Sequence, residues 1–94
     1  MYQLLIRPRA ERDLDRLSEV EKSRLIETIS GLKENPRPPL SQKLMENIYR
    51  VRVGRYRIVY AIDDKSKIVD IGKVDRRKER TYKRISDLFK KSLL

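Results

Sequence analysis

The sequence predicts an α+β domain: an antiparallel sheet with an N-terminal helical hairpin packed on one face and a short C-terminal helix. Three observations predict it. Residues 48–62, IYRVRVGRYRIVYAI, alternate strictly about Gly54-Arg55, the pattern of two strands joined by a two-residue turn. Residues 8–32 carry apolar side chains at helical spacing, interrupted by one helix-start signal. Residues 68–74, IVDIGKV, follow a polar turn and supply a third strand. A chain of 94 residues suits one domain, residues 1–94, with a single modest core.

Taken in order, Met1–Arg7 is a short apolar run consistent with a strand. Pro8 suits the first turn of a helix, where a missing N–H leaves nothing unsatisfied. Ala10, Leu14 and Leu17 recur at helical spacing behind it. Ser18 and Glu21 have capping-box spacing and open a second helix. Its buried stripe is Leu25, Ile29 and Leu32, with Ile26 beside it. Asn35-Pro36 ends that helix and Pro38-Pro39 keep the next residues extended. Leu40–Asn47 reads as a connector.

The hairpin follows. Glycine at the first central position suits a type II′ turn. With Gly54-Arg55 as the loop, Val53 faces Tyr56, Arg52 faces Arg57, Val51 faces Ile58, Arg50 faces Val59 and Tyr49 faces Tyr60. Side chains alternate between faces. Tyr49, Val51, Val53, Tyr56, Ile58, Tyr60 and Ile62 therefore form a core face, and Arg50, Arg52 and Arg57 share the other. Like charges opposite each other destabilise a strand pair, so three guanidiniums on one face point to an anionic partner. A solvated sheet face is the alternative reading of the same residues. Asp63–Lys67 is a polar turn. In the third strand Gly72 marks a bulge or a close approach, and the register of Asp70 is open.

The charge distribution favours the anionic partner. The chain is +10 overall. Residues 1–47 hold nine basic and eight acidic side chains, whereas residues 48–94 hold fifteen and six. A polyanion, nucleic acid first, suits such asymmetry. The basic segment DRRKERTYKR, residues 75–84, leaves the third strand and contains Tyr82. Guanidinium binds phosphate bidentately and a tyrosine ring stacks on a base. Ile85, Leu88, Phe89 and Ser92 then mark a short amphipathic helix, either docked on the core or a flap over the basic face.

Composition excludes much else. The chain has no cysteine and no histidine, which removes disulfides, thiolate metal sites and the commonest acid/base side chain. No apolar run approaches the ~20 residues that span a membrane. A soluble cytoplasmic protein is expected.

The order of these features resembles the RelE/ParE toxin superfamily of toxin–antitoxin systems, in its RelE-like branch. The features are an N-terminal strand, helices ending at Asn35-Pro36, Lys43-Leu44, the block YRVRVGRYRIVY, a third strand ending in Val74, and a basic segment reaching a tyrosine. The likeness covers nearly the whole chain, and the block at 49–60 is its specific part. It implies a RelE-like fold and a ribosome-dependent endoribonuclease that cuts mRNA in the A site. It also implies neutralisation by a cognate acidic antitoxin. No cofactor, metal or membrane is implied. Carried over by position, Arg50 and Arg52 stand where better-known members have lysines. Arg57 and Arg77 match family arginines, and Tyr82 matches the C-terminal tyrosine. Lys73, Arg76, Lys78, Arg80, Lys83 and Arg55 are the further candidates for RNA contact.

Arginine at both lysine positions bears on the chemistry. A guanidinium stabilises a phosphorane, but with a pKa above about 12 it does not accept a proton. Tyr82 is the candidate base if neighbouring cations lower its phenol pKa from about 10, with Lys73, Lys78 and Lys83 behind it. Two other functions fit the same residues: a ParE-like inhibitor of DNA gyrase, and a nucleic-acid-binding relative without catalysis.

Overall fold

The protein's structure, a computed structural model, is described over residues 1–76. Among these residues the elements are β1 (Gln3–Ile6), α1 (Pro8–Asp15), α2 (Glu19–Gly31), β2 (Ser41–Met45), β3 (Ile48–Val53), β4 (Tyr56–Asp63) and β5 (Ile68–Asp75). The strands form one sheet in the order β1-β5-β4-β3-β2. β2 to β5 run as an antiparallel meander, and β5 comes to rest parallel to β1. The helices between β1 and β2 supply the long connection that a parallel pairing needs.

Local chemistry sets the helices. Pro8 opens α1 after an extended Arg7. Ser18 caps α2, its hydroxyl accepting the Glu21 N–H at 3.2 Å. Ala10, Leu14, Leu25, Ile29 and Leu32 pack with Val51, Ile58, Tyr60, Ile62, Val69, Ile71 and Val74 in one core. Both helices thus bury their apolar stripes on a single face of the sheet. Ile26, beside the stripe, stays exposed.

The hairpin has the expected register, from Val53↔Tyr56 to Tyr49↔Tyr60. Gly54 takes φ +60 and Arg55 does not join the positive-φ residues, as a type II′ turn requires. The expected connector at 40–47 is corrected: Ser41–Met45 is an edge strand paired with β3. Its pairing shifts at Leu44, which breaks the alternation that marks a strand in sequence. Asn47 supplies the positive φ, +66, that closes the two-residue turn to β3.

The loop after α2 is fastened across the core face. The Tyr60 hydroxyl donates to the Pro36 carbonyl at 2.7 Å, and burial pushes its pKa up to about 12. Arg37 donates to both Asp64 carboxylate oxygens, at 3.2 and 2.8 Å, and to the Tyr49 hydroxyl at 3.0 Å. The Tyr2 hydroxyl donates to Asp64 at 2.6 Å. Hydrogen bonds from Arg37 first and Tyr2 second hold the Asp64 carboxyl at about 2, against an ordinary 3.8. A lowered folded-state pKa contributes stability above the unfolded value, lost as pH falls through the folded one. Melting temperature should therefore drop between about pH 4 and pH 2 more steeply in the wild type than in Asp64→Asn. Parallel acid limbs in thermal melts would show that this network adds nothing.

Candidate functional site

The site lies on the sheet face away from the helices. Pairing builds it as two rows across the strands. One row is Arg52–Arg57–Asp75, and the next is Gln42–Arg50–Val59–Lys73. Neighbouring rows on one face are about 7 Å apart, two residues along a strand. Four cations, Arg50, Arg52, Arg57 and Lys73, thus converge within two rows.

Strict alternation along β5 would send Lys73 into the core with Val69 and Ile71. The register between β4 and β5 shifts at Gly72, which has no partner between Ile71↔Tyr60 and Lys73↔Val59. A bulge of one residue reverses the phase of everything after it. Val74 consequently enters the core while Lys73 and Asp75 turn to the arginine face. Asp70, before the bulge, stands opposite Ala61 on the same sheet face as the arginines, and there Arg7 donates to it bidentately at 2.9 and 2.8 Å. It is the structural partner of Arg7, one row beyond Arg50 and Val59.

Arg57 is 3% exposed and Lys73 7%, and a single carboxylate binds both. Arg57 Nε donates to Asp75 Oδ1 at 3.0 Å, and Lys73 Nζ lies 3.1 Å from Oδ2. Burial pushes the Asp75 carboxyl up. The hydrogen bonds from Arg57 and Lys73 outweigh it and hold the group below the ordinary carboxylate range. Arg50 donates to the Gln42 side-chain oxygen, and its buried Nε has no hydrogen-bond partner among the described residues. A buried donor left unpaired destabilises by about 1–3 kcal/mol. An anionic oxygen is the acceptor such a donor lacks.

The rows have an apolar floor that the sequence reading missed. Ile48 and Val59 are buried together, with Leu44, Met45 and Ala61 packed against them. Ile48, Val59 and Ala61 share the register parity of Arg50, so alternation already held the signal. An apolar floor lowers the local dielectric and strengthens a charge contact made above it.

The remaining candidates fall elsewhere. Arg55 sits in the hairpin turn, its Nε 4.0 Å from Glu21 of α2, and the structure does not bring it to the rows. Arg76 is exposed just beyond β5. Arg77, Lys78, Arg80, Tyr82 and Lys83, with the expected C-terminal helix, lie outside the described residues. Among the described residues no three or more acidic side chains gather where they could hold a metal ion, and no helix is long and apolar enough to cross a membrane.

Comparison with known proteins matches this architecture. Residues 4–81 fit the family model of the ParE toxin of the type II toxin–antitoxin system parDE. Toxin RelE of Mycobacterium tuberculosis is 40% identical over 80 residues, covering 81% of each chain. The toxin–antitoxin complex RelBE2 of the same organism contains a chain that superposes with TM-score 0.71 at 30% identity, over 81% of this chain and 98% of that one. A chain of the intact Escherichia coli RelBE complex reaches 0.73 at 22% identity, over 84% and 100%, and this last likeness shows the fold alone. A five-stranded sheet with two helices on one face, an arginine-bearing hairpin and these matches agree on one assignment: the chain belongs to the RelE/ParE superfamily and is a RelE-like toxin of a type II toxin–antitoxin system.

Proposed function

We propose that this toxin is an endoribonuclease that cuts mRNA in the ribosomal A site and so inhibits translation. The observation that carries the reading is the Arg50, Arg52, Arg57 and Lys73 constellation over an apolar floor. Clustered guanidiniums and an ammonium suit the charged oxygens of a phosphodiester. In the reaction the RNA 2′-oxygen forms a bond to the adjacent phosphorus and the bond to the 5′-oxygen breaks. The 2′-hydroxyl proton passes to a base, and the leaving oxygen takes up a proton. The products are a 2′,3′-cyclic phosphate and a 5′-hydroxyl end. Guanidiniums stabilise the charge that grows on the phosphorane oxygens.

Proton transfer narrows by elimination. Asp75 is held below the ordinary carboxylate range by two cations, which makes it a poor acceptor. Lys73 is engaged as a donor to Asp75 and acts as a cation. Tyr82 is the proposed base, ahead of Lys78 and Lys83, with Arg77, the residue after Arg76, as a further phosphate clamp. Ribosome-imposed geometry supplies the alignment of the 2′-oxygen with the phosphorus. The cytoplasm is the compartment this substrate dictates.

A RelB-like acidic antitoxin is the proposed protein partner, since the solved relative at 30% identity is a toxin–antitoxin complex. A disordered acidic segment that folds on the arginine rows would neutralise them. The family model that matches carries the ParE name, and this favours gyrase inhibition as the second reading.

Primer extension on a reporter mRNA in a cell-free translation reaction tests the proposal. Cuts confined to translated codons, absent when ribosomes are left out, are expected. No cuts in either reaction would overturn it, and a supercoiling assay would then report on gyrase.

A further inference from the structure

β5 runs on past its parallel partner. The β1–β5 pairing ends at Ile6↔Ile71, whereas β5 continues to Asp75. Along that edge the Asp13 carboxylate of α1 accepts the Val74 N–H at 3.0 Å. Between α1 and the end of β5 a cavity of about 570 Å³ opens beside the arginine rows, within the range of small-ligand sites.

Its walls are of two kinds. Arg9, Arg16 and Arg76 line it as exposed cations, with Lys73 at the side shared with the rows. Leu17 and Tyr56, half-buried against the core, supply an apolar wall. The two acids in the lining are already engaged. Asp13 caps β5 and lies 3.7 Å from Arg9 Nε, and Asp75 bridges Arg57 and Lys73. Among the described residues, four cations against two committed carboxylates leave the lining net positive. An aromatic and aliphatic wall under a guanidinium rim suits a base below and a phosphate above.

We propose that the crevice between α1 and the end of β5 binds one nucleotide of the RNA next to the scissile phosphate. Arg9, Arg16 and Arg76 take its phosphate, and Leu17 with the Tyr56 ring packs against its base. The inference rests on the endoribonuclease reading and extends the RNA path from the sheet face round to α1. Because the crevice acts in binding and not in bond cleavage, it sets KM and leaves the chemical step alone.

The test is the double variant Arg9→Ala/Arg16→Ala, both exposed positions on α1 and its C-terminal cap, measured against wild type. A fluorescein-labelled single-stranded RNA is titrated at several salt concentrations, and cleavage is followed in the translation reaction. Each lost phosphate contact flattens the log–log salt dependence by about 0.7. A flattening of up to about 0.7, with KM raised about tenfold and the single-turnover rate within twofold, is expected. An unchanged salt slope and KM beside normal wild-type binding overturns the crevice alone. A fall in the single-turnover rate at unchanged KM also overturns it, by placing the arginines in the chemistry. Loss of antitoxin binding with RNA binding intact assigns the crevice to the antitoxin instead. Wild-type protein that binds and cuts no RNA removes the endoribonuclease reading itself, and the crevice with it.

Discussion

Replacing Arg57 by lysine should lower ribosome-dependent cleavage about 100-fold or more while the protein melts within a few degrees of wild type. Removing one preorganised donor from a developing oxyanion lowers the rate by about 10²–10³. Lysine keeps the positive charge beside Asp75 but loses the planar fork that meets two phosphate oxygens at once. Arg57→Ala is the weaker test. Arg57 is 3% exposed and bonded to Asp75, so truncation leaves a buried carboxylate short of a partner and is expected to destabilise by about 3 kcal/mol. Lost activity in the alanine variant would then mix chemistry with unfolding. The lysine variant separates them. A protein with the wild-type melting curve that cuts at more than a tenth of the wild-type rate would remove Arg57 from the transition state.

Much of this site was legible in the sequence, and the parts that were not have physical reasons. The hairpin register follows from alternation about a glycine turn, because a slip of one residue would put Arg50, Arg52 and Arg57 into the core. That energetic gap makes the reading robust. The helices follow from Pro8, from the Ser18 cap and from the Leu25, Ile29 and Leu32 stripe. β2 was invisible because the shift at Leu44 breaks its period and because an edge strand buries little. Lys73 was placed in the RNA-binding set on charge alone. Its position beside Arg57 depends on the Gly72 bulge, and nothing in the sequence says which residue of β5 is left unpaired. The ion bridge at Asp75 was hidden for the same reason, since without the phase reversal Asp75 points away from Arg57. Arg9 and Arg16 carry no signal at all as sequence. On an amphipathic helix they read as solvated charges, and only the overhang of β5 past β1 brings them to Arg76.

Asp75→Ala should have the largest effect on stability of any substitution at the site. It removes a carboxylate that bridges the buried Arg57 and Lys73. Breaking a buried ion pair from one side destabilises by about 3–5 kcal/mol, and each kcal/mol lowers the melting temperature of a domain this size by about 4–8 °C. The same contact predicts the pH dependence. The folded-state pKa of Asp75 is lowered, so its contribution is complete above the unfolded carboxylate value and disappears as pH falls below it. Wild type should therefore converge on the variant in acid, and the gap between their melting temperatures should be widest near neutral pH. A second substitution distinguishes the bridge from simple packing. Lys73→Met in the Asp75→Ala background removes a buried cation that has lost its bridge and should recover part of the loss, with a coupling energy of about 0.5–3 kcal/mol in the double-mutant cycle. Asp75→Asn keeps the shape and removes the charge. It should tighten RNA binding, because the rows gain net charge, and slow cleavage, because a neutral amide oxygen holds Arg57 Nε less firmly than the carboxylate does. Opposite movement of affinity and rate is the signature of a residue that trades attraction for aim. Additive substitutions, with a gap that is the same at every pH, would reduce Asp75 to a packing role.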